Sequence, residues 1–184
     1  MITTPDYTKQ LQTLHKIDTK WGDRTKIPKK IIELIRDCNV KSILNFGCGK
    51  GYLNNSIKSQ FPMIDIYGWD PAYHSYEQLP NAIDLIISTD VLEHIEPNLL
   101  NDTLCDLKNR STLMYHLIAC YEAVSVLPDG RNAHLIIESP KWWRNKMIEL
   151  SGSIIYDRVI EENRLLKIGN KFVTEYECVV EFIN

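Results

Sequence analysis

The sequence predicts an α/β fold, a doubly wound and mostly parallel sheet that finishes with an antiparallel hairpin. Three observations predict it. The apolar run Ser42-Ile-Leu-Asn-Phe46 enters Gly47, Gly49 and Gly51 and then a helix-compatible stretch, the strand-turn-helix start of such a sheet. Two further apolar runs, Ile64 to Trp69 and Leu85 to Ser88, are followed by the acids Asp70 and Asp90. At the C-terminal end, the β-rich runs Ser153 to Glu161 and Phe172 to Phe182 flank Lys167-Ile-Gly-Asn170, which reads as a hairpin turn.

Taken in order, Tyr7, Leu11, Leu14, His15 and Ile17 recur at helical spacing, and a helix is predicted from about Pro28 to Cys38 with Ile31, Ile32, Leu34 and Ile35 on its buried side. Residues 1–38 thus read as a lid and a first helix. The helix after the glycines runs through Ser59 and is broken at Phe61-Pro62. Only thirteen residues separate Asp70 from Asp84, so the strand that normally intervenes in such sheets is predicted to be short or missing. A helix is expected from Val91 to about Leu107, with Pro97 able to kink it, and a strand from about Thr112 to Ala119. The connection 120–137 is long for its place and is read as a substrate loop. Ser139-Pro140 supplies an N-cap and first-turn proline for a helix over Lys141 to Leu150, which Gly152 ends.

At 184 residues the chain is the size of one domain, 1–184. Net charge is −3 and the 21 basic residues are dispersed, so no polycationic face exists to drive duplex nucleic-acid binding. The tight basic spots, Lys29-Lys30 and Arg144 to Lys146, read as solvated helix faces. No apolar run reaches the ~20 residues of a membrane span, and the N-terminus lacks signal-peptide order, so a cytoplasmic protein without membrane contact is expected. The five cysteines form no Cys-x-x-Cys pair and read as reduced thiols, with Cys48 a small packing residue inside the glycine loop. Oligomeric state stays open.

The glycine spacing is G-x-G-x-G rather than the dinucleotide G-x-G-x-x-G, and an acid follows about 20 residues later, where a ribose hydroxyl pair would be held. With Asp84-Leu-Ile-Ile-Ser-Thr-Asp-Val-Leu-Glu-His-Ile95 as a further strand, this order resembles the class I S-adenosylmethionine-dependent methyltransferases over roughly residues 40 to 100. The stretch Leu127 to Leu135 and Lys141-Trp-Trp further resembles small methyltransferases of bacteriophage genomes. The resemblance implies a Rossmann-like methyltransferase fold and S-adenosyl-L-methionine as cofactor, held by Gly47, Gly49, Gly51, Asp70 and Asp90. Asn45 stands where the family usually has an acid and would accept a hydrogen bond from the cofactor ammonium without supplying charge. Tyr52, Trp69 and Trp21 are aromatics able to face the sulfonium or adenine.

For catalysis, His134 on the long loop is the best general base, since imidazole titrates near neutral pH, and His94 stands beside the expected site. Trp21, Arg131 and Asn132 are expected to face the substrate. Asp90, Glu93 and His94 at i, i+3 and i+4 would share one helical face, and His134 would make a fourth ligand. That set resembles the metal-binding cluster of the small-RNA 3′-terminal 2′-O-methyltransferases and the shorter cluster of quinone-biosynthesis O-methyltransferases, with Asp90 in place of a glutamate. The favoured expectation is nevertheless a metal-free enzyme that methylates a small polar acceptor at oxygen. Its alternatives are metal-assisted methylation of a nucleic-acid end, and a protein that binds or consumes the cofactor without methyl transfer.

Overall fold

The computed structural model describes residues 3–73, 79–166 and 169–182. Helix α1 (Pro5–Ile17) starts at Thr4, whose side-chain oxygen accepts the Tyr7 N–H, with proline in the first turn. Its stripe Tyr7, Leu11 and Leu14 packs on Leu127 and Ala133 of the long loop. Ile17 lies off that stripe and is exposed. Helix α2 (Lys29–Asp37) buries Ile31, Leu34 and Ile35, as their spacing requires.

Strand β1 (Ser42–Phe46) leads to α3 (Tyr52–Gln60), and β2 (Asp65–Trp69) and β3 (Leu85–Thr89) flank β1 in parallel. No strand lies between β2 and β3 among the described residues, although 74–78 fall outside them. Helix α4 (Leu100–Arg110) precedes β4 (Leu113–Ala119), which is parallel to β3. Helix α5 (Pro140–Glu149) is capped by Ser139, and β5 (Gly152–Leu166) and β6 (Gly169–Phe182) complete the order β2-β1-β3-β4-β6-β5, with β6 antiparallel to both neighbours. Strands β1 and β3 are near-continuous apolar runs because helices cover both faces of the sheet. Leu44, Phe46 and Ile86 face Leu104 and Trp143, while Ile43, Leu85 and Ile87 face Ile31, Leu34 and Ile57. The strand order reverses between β1 and β3, and ligands bind such sheets at the strand carboxyl ends beside that point.

Three expectations change. The predicted helix from Val91 is absent: Leu92–His94 and Pro97–Leu99 are single 3-10 turns, and α4 starts only at Leu100. Pro97 has no N–H to give the Glu93 carbonyl, which instead accepts Leu135 N at 2.8 Å and Ile136 N at 3.0 Å from the long loop. The end of α5 is turned by Ser151 at φ 63°, not by Gly152; a Cβ on Gly152 would lie 2.8 Å from the Met147 carbonyl oxygen as the strand starts. The hairpin strands are longer than predicted because 162–166 also pair with 169–173 of β6, while 167–168 of the expected turn lie outside the described residues. No described helix is long and apolar enough to cross a membrane.

Candidate active site

At the carboxyl ends of β1, β2 and β3 a cavity of about 670 Å³ opens between the sheet and the segment after α1. Its floor is the glycine loop. Gly47 N and Cys48 N both donate to the Trp69 carbonyl, at 2.7 and 2.9 Å, which ties the loop to the end of β2. Gly47 has φ 74° and a Cβ there would come within 2.4 Å of Val91, while Gly49 has φ 52° and a Cβ would meet the Gly22 carbonyl oxygen at 2.6 Å. Gly51 caps α3 with φ 76° and open space around it.

Asp70, directly after β2, is buried, and its two oxygens accept Gly49 N at 2.9 Å and Ala72 N at 2.8 Å. A carboxylate has about four acceptor positions. Two remain for hydroxyls in the cavity, and His15 Nε2 lies 3.9 Å away. Burial lowers the pKa of His15 against the opposing pull of Asp70. Asn45, also buried, lines the cavity and gives its amide hydrogen to Asn54 Oδ1 at 2.7 Å, leaving the carbonyl end to accept. The Cys48 thiol is pushed up to about 12 by burial, which suits a packing role and not a nucleophile. Trp69 is buried and stacks on Phe46, whereas Tyr52 is exposed outside the cavity.

Residues 18–26 roof this cavity. Lys50 N donates to the Gly22 carbonyl at 3.2 Å, Lys50 Nζ reaches the Thr19 carbonyl, and Arg24 pairs with Asp90. Burial opposes the Arg24 charge, but Asp90 outweighs it and its pKa is raised. Asp90 itself has φ 56°, in the left-handed region, which turns it to the roof. It therefore does not share a face with Glu93 and His94.

Glu93, His94 and His134 do converge, with one ligand atom from each lying within 4.8 Å of the others. Glu93 is fully enclosed: Oε1 accepts Ala119 N at 3.0 Å, and Oε2 is buried without a partner. Burial and then the Asp90 charge hold its carboxyl well above the usual range. His94 Nδ1 bonds the Ala133 carbonyl at 2.6 Å and His134 Nδ1 bonds the Tyr121 carbonyl. A carbonyl only accepts, so both Nδ1 atoms carry hydrogen and both Nε2 atoms of the neutral rings carry the lone pair. Burial, then the neighbouring His134, pulls His94 down to about 3, and burial also lowers His134.

Arg131 and Asn132 are not in the cavity. Arg131 pairs with Asp129 at 2.7 Å on the surface, and Asn132 closes the loop, accepting Ala123 N and His134 N and donating to the Ala123 carbonyl. Trp21 lines the cavity, and so do three residues that sequence reasoning did not place there: His15, Arg24 and Tyr121. His15 had a signal, a polar ring inside an apolar helical stripe, but only the fold puts it beside Asp70.

No protein-family pattern and no curated protein matches the sequence. Solved structures do match. A S-adenosylmethionine-dependent methyltransferase from Methanosarcina mazei aligns with a TM-score of 0.60 at 10% identity, over 86% of this chain and 99% of that one. The fold is that of the S-adenosylmethionine-dependent methyltransferases. One such methyltransferase from Aquifex aeolicus aligns with a TM-score of 0.53 at 16% identity, over 96% of this chain and 98% of that one. DhpI, in a complex with S-adenosylhomocysteine, aligns with a TM-score of 0.57 at 10% identity, over 99% of this chain and 100% of that one.

Proposed function

We propose that this methyltransferase-fold protein moves the methyl group of S-adenosylmethionine to a hydroxyl oxygen of a small polar acceptor. The observation that carries the reading is Asp70, fixed by the Gly49 and Ala72 N–H groups at the end of β2, with acceptor capacity to spare in a cavity that also contains the His94 and His134 pair. Gly47 and Gly49 allow the cofactor to approach bare backbone, and Asn45 offers an uncharged acceptor to its ammonium group. A sulfonium methyl is already electrophilic, so the protein mainly aligns it with the oxygen and removes a proton. His134 suits that removal better than His94, which burial and the neighbouring imidazole pull down to about 3 and leave a weak base. Incubation with methyl-labelled cofactor and a cell metabolite extract tests the reading, which a labelled O-methyl product supports and a purified protein carrying bound nicotinamide dinucleotide overturns.

Asp70→Ala is expected to weaken S-adenosylhomocysteine binding by about 1.5–3 kcal/mol, the range for hydrogen bonds to a charged group. Titration calorimetry with equal affinities for both proteins would reject the ribose assignment.

A second reading is favoured by one arrangement, the convergence of Glu93, His94 and His134. The donor set fits a divalent cation: both imidazoles are oriented through Nδ1 to backbone carbonyls, as metal ligands commonly are, and Glu93 Oε2 is a buried acceptor without a partner. A cation bound there would acidify and orient a hydroxyl. Under this reading an excess of chelator abolishes methyl transfer, and Glu93→Gln is as damaging as a change at His134. Full activity in chelator removes it.

A further inference from the structure

Four rings that line the cavity stand in an unbroken row. Trp21 meets His94 with ring centroids 5.0 Å apart, His94 meets His134 at 4.7 Å, and His134 meets Tyr121 at 5.5 Å, each pair edge to face. They come from three segments, the roof (Trp21), the turn after β3 (His94) and the long loop (Tyr121 and His134), and all four border the same cavity. A row assembled from three segments presents one wall of ring faces and edges to whatever enters.

The polar atoms of this wall are equally specific. The two Nδ1 atoms are committed to carbonyls, so the hydrogen-bonding capacity left on the imidazoles is the lone pair of each Nε2, and it calls for a donor on the ligand. Charges of both signs adjoin the row: Arg24 paired with Asp90 at one end, and at the other Arg164 paired with Glu175 at 2.8 Å beside the Tyr121 hydroxyl, with Lys171 Nζ 5.8 Å from the Tyr121 ring. A charged ligand would therefore meet a like charge beside each opposite one, which an uncharged ligand avoids.

We propose that the methyl acceptor is an uncharged planar ring bearing a hydroxyl, laid against Trp21, His94, His134 and Tyr121 with its hydroxyl hydrogen directed to Nε2 of His134. This deepens the methyl-transfer reading and rests on it. In the transfer, the sulfur–methyl bond breaks and its electron pair stays on sulfur as a neutral thioether, while an oxygen–methyl bond forms. The hydroxyl proton passes to His134 Nε2 and then to solvent. Ring against ring supplies attraction beyond simple burial, and a saturated ring of the same outline forfeits it.

The test is calorimetry with 2-naphthol, its saturated counterpart decahydro-2-naphthol and the charged 6-hydroxy-2-naphthoate, each titrated with and without S-adenosylhomocysteine. The expected result is 2-naphthol binding about tenfold more tightly than the saturated alcohol, the size of one favourable aromatic pair. Trp21→Ala is expected to erase most of that preference and Trp21→Phe to restore it, with Tyr121→Leu as the second variant should the first not fold. Equal affinity for the planar and saturated alcohols, tighter binding of the naphthoate, or a preference untouched by these variants overturns the proposal. Failure of S-adenosylhomocysteine to bind, with the naphthol preference intact, strikes the methyl-transfer reading and leaves the ring wall standing.

Discussion

His134→Ala is expected to lower methyl transfer by about 10²–10⁴-fold while S-adenosylhomocysteine affinity stays nearly unchanged. The separation follows from position. The imidazole borders the cavity without any contact to the Asp70 carboxylate, and its lone-pair nitrogen acts only on the proton that leaves in the transition state. The Nδ1 bond to the Tyr121 carbonyl also orders the loop, so His134→Asn, which keeps a side-chain donor, should retain the fold and still lose turnover. Turnover of His134→Ala equal to that of the unaltered protein, measured with labelled cofactor, would sink the base assignment.

Mild acid is expected to destabilise the fold through His116. This imidazole, in the middle of β4, is fully buried, bonds the Ser88 hydroxyl at 2.8 Å through Nδ1, and has no partner at Nε2. Burial pulls it from 6.5 down to about 4. The unfolded chain therefore takes up the proton first as pH falls. The loss begins near pH 6.5, grows until about pH 4, and amounts to about 3 kcal/mol at about 1.4 kcal/mol per pH unit. Glu93, a carboxyl held above its usual range, contributes with the opposite sign, so the diagnostic is a difference: urea midpoints between pH 7 and pH 4.5 should slope less in His116→Gln than in the unaltered protein. Parallel slopes would show that His116 does not titrate on unfolding.

The sheet was legible wherever a short apolar run met a sharp boundary. Ser42 to Phe46 is bounded by glycines, Leu85 to Ser88 by acids, and the helix after Ser139-Pro140 by an N-cap, and the structure has these elements within a residue or so. Periodicity failed where a distant segment competed for the backbone. Val91 to about Leu107 reads as a helix, yet the Glu93 carbonyl is claimed by Leu135 and Ile136, more than forty positions away, a choice no local pattern carries. The hairpin extension failed for the opposite reason, since Glu161-Glu162-Asn163-Arg164 offers no apolar alternation although its backbone pairs fully with β6.

The glycine loop and Asp70 were readable because a fixed spacing along one strand-turn-helix unit holds them. The acceptor side is assembled from three segments, and there residue type misled: Arg131 and Asn132 look like substrate groups but serve their own loop, as Asp129 and Ala123 are nearer to hand. Arg24 lacked any motif. Its partner Asp90, expected on the cofactor, lines the same cavity, and a left-handed backbone at that one residue lets it pair with the roof.

Gly22 and Gly49 face each other with so little room that a Cβ on Gly49 would stand 2.9 Å from the Gly22 Cα, and one on Gly22 would stand 3.2 Å from the Gly49 Cα. The two positions thus form a single inherited unit. Surface segments ordinarily drift most freely between generations of a protein, yet this one is bound to a turn with no room for a side chain at Gly49, and mutational scanning of residues 19–24 should find Gly22 as intolerant as Gly49.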